Sequence, residues 1–303
     1  MSAEKETKRY YLFDNLKFIL MALVVIGHCA DANPDVPQLY KSIFVFIYSF
    51  HMPLFLFISG LFHKNTKIFQ KIITFISLGY LSKLIIYLTK LGLYGNATFS
   101  FFSDGALPWY MFVLAMFIGI SYLLRNVNKT LVLTVSVLLA LIAGYFSQIG
   151  DLFYLSRFFV FFPYYLLGQM IPETLIIRLN SSKKIRLLSA VILTVWAIIC
   201  FTQIDTVYPI RYLLTGRNSF ASIETLKVWG FFWRFATYLI TTAISFSVIC
   251  LAPRKKMPFI SKFGRSTLQV YFWQTTVLHI LRKIGVTQLI EYPEGRILWL
   301  LIG

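Results

Sequence analysis

The sequence has few residues of the kinds that build disulfide frameworks and metal sites. Its 303 residues include three cysteines, Cys29, Cys200 and Cys250, which are far apart and show no Cys-x-x-Cys spacing, so neither a disulfide framework nor a zinc site is indicated. The four histidines show no His-x-His or His-x-x-x-His spacing. The glycine-rich P-loop pattern of nucleotide-binding proteins is also missing. We therefore expect no metal cofactor.

Charged residues are scarce as well, at 14% of the chain, against about 25% in an ordinary soluble domain. Hydrophobic residues make up 58%, including 30 Phe and 18 Tyr. This composition excludes a soluble enzyme, a disordered chain and a coiled coil, and it predicts a surface that faces lipid. The net charge of +17 is explained by basic loops between membrane spans. Neither zinc-finger spacing nor an aromatic-basic RNA motif points to nucleic acid.

Long apolar runs predict an all-α, polytopic integral membrane helix bundle with about nine or ten transmembrane helices, each of roughly 20 residues. Nine runs are visible: 12–30, 42–62, 72–91, 107–124, 130–147, 152–171, 187–203, 228–251 and 266–281. A tenth begins at Ile297 and is short or truncated at Gly303. With no repeat and no Gly/Ser linker, we expect residues 1–303 to form a single transmembrane domain.

The distribution of Lys and Arg predicts a cytoplasmic N-terminus. With the nine runs taken as alternating spans, 17 of the 29 basic residues lie on the side of the N-terminus and 8 on the other. The first group includes Lys5, Lys8, Arg9, Lys71, Lys184 and Arg265, and the second includes Lys90, Arg217, Lys227 and Arg282. The first run resembles a signal peptide that ends near the triplet at 30–32, but Lys17 interrupts it and eight runs follow, so we expect it to remain uncleaved.

Ionisable side chains inside the runs mark candidate functional positions, because burying them in lipid costs at least about 2.5–3.5 kcal/mol at a helix centre. They are Asp14, Lys17, His28, His51, Lys83, Arg157, Arg234 and His279.

The first run carries three of these residues on one helix face. Lys17 and His28 are eleven residues apart, which leaves them about 20° apart around a helix and about 16 Å apart along its axis. Asp14 is three residues before Lys17 and within pairing distance. One interpretation is a polar passage along this face. The other is an interfacial Asp14–Lys17 pair, with His28 extending toward the outer headgroups.

His28 is the best candidate for a general base, since an imidazole titrates near neutral pH. His51 precedes Pro53, which breaks the helical hydrogen-bond ladder. The alternative to a functional role is a kinked helix in which His51 bonds a freed carbonyl. Arg157 is a candidate for binding a phosphate or an oxyanion, or a buried ion pair.

Several segments resemble the membrane-bound acyltransferase 3 family, particularly its fucose O-acetylase-like branch. FDNLK at 13–17, followed by His28, is similar to the family's Arg/Lys-x10-His motif, and FHMPLFLFISG at 50–60 resembles its second-span block. PWYMF at 108–112 and the segment 157–168 resemble later aromatic blocks. FGRSTLQVY at 263–271 resembles a late block, although Gln274 stands where many members carry His.

The resemblance implies transfer of an acyl group, commonly acetyl from cytoplasmic acetyl-CoA, to a hydroxyl of a cell-envelope glycan or its lipid-linked precursor. It implies a multi-pass protein of the bacterial cytoplasmic membrane, with His28 as the essential histidine and Lys17 as its basic partner. His51, Trp109 and Arg157 match less clearly defined positions. Asp14 is a candidate for orienting Lys17. Trp109 and Tyr110 are candidates for stacking on a sugar, or members of an interfacial aromatic belt.

The sequence also permits comparison with two other classes of membrane protein, a transporter and a structural scaffold. A transporter or flippase for a glycan or small solute also uses polar residues within spans and proline-broken helices, but Pro53 has no clear counterpart later in the chain. A purely structural scaffold is disfavoured by the cost of aligning charges on one helix face.

Overall fold

All regular elements of the described residues are helices. The protein is seen in a computed structural model that describes residues 10–31, 37–103, 108–222, 224 and 226–302. The basic residues Lys5, Lys8 and Arg9, used above for orientation, lie outside them. The α-helices are α1 (Tyr11–Ala30), α2 (Gln38–Tyr48), α3 (His51–Leu61), α4 (Ile68–Tyr94), α5 (Trp109–Leu123), α6 (Lys129–Ala143), α7 (Leu155–Met170), α8 (Glu173–Ser181), α9 (Lys183–Thr202), α10 (Ile204–Val207), α11 (Arg211–Leu214), α12 (Leu226–Leu251), α13 (Pro258–Phe263), α14 (Thr267–Lys283) and α15 (Pro293–Ile302).

Each predicted apolar run contains a helix, and the chain is a polytopic membrane protein. Among the described residues, five helical segments are long and apolar enough to cross a bilayer: α1, α2 with α3, α4, α9 and α12. A sixth is possible if α7 and α8, which meet at 87°, form one broken span. The runs at α5 and α6 fold as shorter apolar helices, and the described residues show five or six candidate spans where the sequence predicts nine or ten.

The second apolar run is interrupted near Pro53, where the sequence predicts a break in the helix. α2 ends at Tyr48 and α3 begins at His51, so Pro53 occupies the first turn of α3, where its missing N–H leaves no helical bond unmade. The imidazole Nδ1 of His51 lies 2.9 Å from the carbonyl oxygen of Ile47. This is the geometry of the kinked-helix alternative, and it orients the His51 ring at the break.

Helices α3 and α7 approach until their backbones touch. A Cβ atom added to Gly60 would lie 2.0 Å from the carbonyl oxygen of Tyr165, and one added to Gly168 would lie 2.0 Å from that of Phe57. Small residues permit this proximity in membrane bundles. The contact sets the relative position of the two helices whose first turns carry His51 and Arg157.

Buried amide and indole groups fasten the first helix to later parts of the chain. Asn15, which is fully buried, donates to the carbonyl oxygens of Pro253 and Lys255 and accepts from the Ser261 hydroxyl. At the other end of α1, Trp299 of α15 donates to the carbonyl oxygen of Cys29. The short last helix therefore packs against α1, and both ends of α1 are held.

Two of the buried cations have structural surroundings. The Lys83 ammonium donates to the carbonyl oxygens of Ser100, Phe101 and Ser103, so it holds the loop that follows α4. Arg234 is buried on α12 and donates to the carbonyl oxygen of Leu213. Neither residue lines the two cavities described next.

Candidate active site

One face of α1 borders two cavities. Lys17, Met21 and Val24 line the first, and His28 lines the second. These positions follow one another at intervals of three or four residues, as expected for a single helix face. Met52, in the first turn of α3, lines both cavities. The predicted polar face of α1 therefore lies toward the protein interior, along both cavities.

The first of these, the Lys17 cavity, has a volume of about 430 Å³. Its walls are mostly apolar and aromatic, with cationic groups at Lys17, Lys71 and Arg265. The Lys17 ammonium lies 4.9 Å from the centroid of the Phe62 ring. Gly264 also lines the cavity, and a Cβ added there would lie 1.9 Å from the carbonyl oxygen of Asp14. The absence of a side chain at Gly264 thus lets the α13–α14 junction close against α1.

His63 adds a hydrogen-bonded imidazole to the Lys17 cavity. Its Nδ1 lies 2.7 Å from the Tyr165 hydroxyl and its Nε2 lies 2.8 Å from Oδ1 of Asn65. Burial lowers the pKa of His63, the Asn65 hydrogen bond opposes this, and the charges of Lys71 and Lys129 lower the pKa further. The neutral tautomer that donates from Nε2 to Asn65 and accepts at Nδ1 satisfies both contacts.

The second cavity, the His28 cavity, has a volume of about 400 Å³ and a more polar lining. Its ionisable lining residues are His28, Asp31, Tyr48, His51, Lys90, Arg157, Arg217, His279 and Arg282. All four histidines of the chain thus line one of the two cavities, three of them here and His63 in the other.

Tyr48, the last residue of α2, lies between His28 of α1 and His51 of α3. Its hydroxyl is 3.4 Å from Nδ1 of His28, and its ring centroid is 4.5 Å from that of His51. The ring of Phe44 stacks on the ring of Tyr48, and their centroids are 3.7 Å apart. In the His28 tautomer with its proton on Nδ1, the Tyr48 hydroxyl accepts that proton's hydrogen bond and Nε2 is left to accept another.

Arg157 is a buried member of the His28 cavity and is held in place on two sides. It donates from Nη1 to Asp151 at 3.1 Å, and its guanidinium carbon lies 4.8 Å from the centroid of the Trp109 ring. Asp151 also forms an ion pair with Arg217. The Asp151 carboxylate therefore pairs with two guanidinium groups, and both of these groups line the cavity.

The two adjacent aromatic residues of α5 lie in different environments. Trp109 lines the His28 cavity, and its ring is buried, stacked on Phe161 as well as under Arg157. Tyr110 lines the Lys17 cavity, where its hydroxyl is 2.9 Å from that of Ser59. The burial of Trp109 rules out a lipid-facing belt position for it.

Asp14 is the one predicted site residue that the structure does not bring to either cavity lining. It lies one turn before Lys17, half-buried, with its backbone against Gly264. The remaining six (Lys17, His28, His51, Trp109, Tyr110 and Arg157) all line one cavity or the other.

Several lining residues were missed from the sequence. Tyr48 lies just before the FHMPLF segment, and the sequence places Lys90, Arg217 and Arg282 among the basic residues between spans. His279 was noted within a span, and Arg282 follows it by three residues, one helical turn. That spacing was the available signal for a polar face on α14.

Asp31, the residue that follows α1, lines the His28 cavity. Burial raises the pKa of the Asp31 carboxyl, and the charges of Arg211 and Arg282 oppose that shift. In the described part of the chain, no three His, Cys, Asp or Glu side chains are grouped as a metal site would need.

The fold and these cavities define a polytopic membrane protein with a histidine-lined polar interior. A family model described as an acyltransferase domain matches residues 10–303. The chain belongs to this family, acyltransferase 3, whose members are O-acyltransferases, and it is therefore a membrane acyltransferase. This decides between the enzyme and transporter classes in favour of the enzyme. The fucose O-acetylase-like branch stays a prediction. No curated protein and no solved structure matches the chain significantly.

Proposed function

We propose that the protein transfers an acyl group, acetyl in the first instance, from acyl-CoA to a hydroxyl of a glycan, with His28 as general base. The observation that carries this proposal is the arrangement of α1, which presents Lys17 to one cavity and His28 to the next. Met52 borders both. A donor and an acceptor can thus approach the same helix face from two cavities.

The Lys17 cavity suits the acyl donor. Its apolar walls match a pantetheine arm, and Lys17, Lys71 and Arg265 place positive charge around it. Such a cluster attracts the phosphates of CoA. The distance of about 16 Å along α1 from Lys17 to His28 is close to the length of an extended arm of this kind. The thioester would then lie near His28 while the phosphates remain near Lys17.

The His28 cavity suits the acceptor. The acceptor hydroxyl gives its proton to Nε2 of His28 as its oxygen attacks the thioester carbonyl carbon. The carbon–sulfur bond then breaks, and the proton passes from His28 to the departing thiolate. An alternative supported by the same geometry is a transient acyl-His28 intermediate, which divides the transfer into two steps.

The acceptor class and the membrane follow from the family resemblance of the segments at 13–28 and 50–60. We propose a cell-envelope glycan or its lipid-linked precursor, modified at the bacterial cytoplasmic membrane. Acetyl-CoA is the donor to test first.

The test is acetyl transfer by the purified full chain in nanodiscs, followed by mass spectrometry of envelope glycan from cells with and without the protein. His28→Ala should reduce transfer by at least about a thousandfold, as expected for loss of a general base together with its positioning. All four histidines line a cavity, so no other histidine can serve as a matched control variant. The control is therefore the melting temperature of His28→Ala, which should match that of the wild-type protein. If a well-folded His28→Ala protein retains transfer, His28 is not the general base.

A further inference from the structure

The His28 cavity carries more positive than negative charge. Lys90, Arg157, Arg217 and Arg282 line it, and Asp31 is the acidic lining residue within the described part of the chain. Asp151 neutralises one of the two guanidinium groups that it contacts. Four cations therefore face two carboxylates. In a membrane protein, an uncompensated cationic interior is costly unless an anion occupies it.

Helix α14 adds polar atoms that have no partner of their own. The Nε of Arg282 and the Oγ1 of Thr275 are buried, and neither has a hydrogen-bond partner among the described residues. Both residues line the His28 cavity, and a separation of seven residues places them on one face of the helix. Buried donors of this kind cost free energy when they stay unsatisfied, so their position on the cavity indicates a ligand.

We infer that the acceptor presented to His28 is an anionic saccharide, and that its phosphate or carboxylate group binds to Arg282 together with Arg157 and Arg217. The planar guanidinium group can form two parallel hydrogen bonds to two oxygens of either a carboxylate or a phosphate. The volume of about 400 Å³ lies within the range of small-molecule sites. The inference rests on the proposed function, because it identifies the charged group as part of the molecule whose hydroxyl reacts.

The experiment measures saccharide binding without any acyl donor. The full chain is placed in phosphatidylcholine nanodiscs and titrated with glucose 1-phosphate, glucuronate and neutral glucose, with binding followed by saturation-transfer NMR. At least one anionic sugar should bind about tenfold more tightly than glucose, and the phosphate and carboxylate arms identify which oxyanion is preferred. Equal affinity for all three sugars would overturn the inference.

Variants then test the residue assignment. Arg282→Gln should weaken binding of the preferred anionic sugar about five- to tenfold and leave glucose binding unchanged, whereas Arg282→Lys should retain part of the preference. Lys184→Gln, at an exposed lysine of α9, is the matched control and should change nothing. If Arg282→Gln weakens glucose and the anionic sugars equally while its melting temperature is unchanged, Arg282 does not bind the anion and the inference fails.

A second arm separates a saccharide from a lipid. Nanodiscs containing phosphatidylglycerol should leave the preference for the anionic sugar intact. If phosphatidylglycerol abolishes it, the cavity binds lipid headgroups and the inference is wrong. Because no thioester is present, the result is independent of acyl transfer, and failure of this inference is distinguishable from failure of the proposed transfer.

Discussion

Lys17 and His28 show how a residue pattern becomes a site when the helix that carries it is packed. Their spacing places both on one face of α1, but a face in isolation does not say what it borders. The structure places apolar residues of the same face, Met21 and Val24, between them along the Lys17 cavity. The polar residues at the two ends are therefore joined by a surface suited to an uncharged chain.

Lys17 should contribute to binding of the donor rather than the acceptor, because it lines the cavity with the cationic groups Lys71 and Arg265. Lys17→Ala should raise the KM for acetyl-CoA about tenfold, equivalent to loss of one charge-assisted interaction, and change the acceptor KM little. Lys17→Arg, which keeps the charge, is the matched control and should be largely tolerated. Steady-state kinetics with each substrate varied in turn provide the measurement. A defect confined to the acceptor KM would refute the donor role.

Tyr48 should position the His28 ring. Tyr48→Phe keeps the aromatic packing against Phe44 and His51 and removes only the hydroxyl that contacts Nδ1 of His28. Loss of the hydrogen bond that orients the His28 ring, worth about 1 kcal/mol, should lower kcat roughly five- to tenfold. Both KM values should be unchanged. The kcat–KM split distinguishes this role from substrate binding, since an increase in KM at constant kcat would assign Tyr48 to a substrate contact instead.

At the scale of elements, the contact between α3 and α7 controls how the His28 cavity is assembled. His51 begins α3, and Arg157 lies in the first turn of α7. Both line the same cavity, while Gly60 and Gly168 near the other ends of these helices bring the backbones together. A change at the glycine contact therefore alters the spacing of two cavity walls at a distance.

Gly60→Ala should destabilise the protein, because the added methyl group meets the Tyr165 carbonyl oxygen at 2.0 Å and the helices must separate. Overpacking of this kind typically costs about 1–3 kcal/mol. Gly92→Ala on α4 is the matched control, since a Cβ there has no heavy atom within 4 Å, and alanine is the better helix former. Thermal unfolding in detergent should show a lower Tm for Gly60→Ala only. An unchanged Tm would mean that α3 and α7 are less closely packed.

At the scale of the whole molecule, the two cavities divide the basic residues in the way that the loop charges predict. Lys71 and Arg265, expected on the side of the N-terminus, line the Lys17 cavity. Lys90, Arg217 and Arg282, expected on the opposite side, line the His28 cavity. The separation is consistent with cavities toward opposite ends of the bundle, which the proposed transfer from a cytoplasmic donor to an acceptor on the other side needs.

The cytoplasmic N-terminus remains a prediction that cysteine labelling tests. The native cysteines are buried, so background labelling should be low. In intact cells a membrane-impermeant maleimide should label Lys227→Cys and not Lys184→Cys, because these exposed positions lie on opposite predicted sides. Both variants should react after permeabilisation, which controls for accessibility. The reverse pattern would invert the topology and place the Lys17 cavity outside.

Much of the architecture follows from local pattern. Apolar runs long enough for lipid become helices because a backbone in lipid must satisfy its own hydrogen bonds, and Pro53 breaks the second run because it lacks a donor. The extra short helices α8 and α13 were not predicted. Their positions depend on buried contacts between distant segments, such as those of Asn180 with the end of α12 and of Ser261 with Asn15, which local pattern does not contain.

The sequence by itself determined a helical membrane bundle and placed Lys17 and His28 on one face of α1, because hydropathy and helical periodicity are local properties of the chain. Only the tertiary structure decided that this face borders two cavities and that Tyr48 contacts His28. Only the tertiary structure likewise grouped the cations of α4, α7 and α14 with Arg217 along the His28 cavity. Such groupings arise because helices pack together residues that are far apart in sequence, and the contact of Gly60 with α7 is one example. The periodicity within one helix carries no information about which helices will be its neighbours.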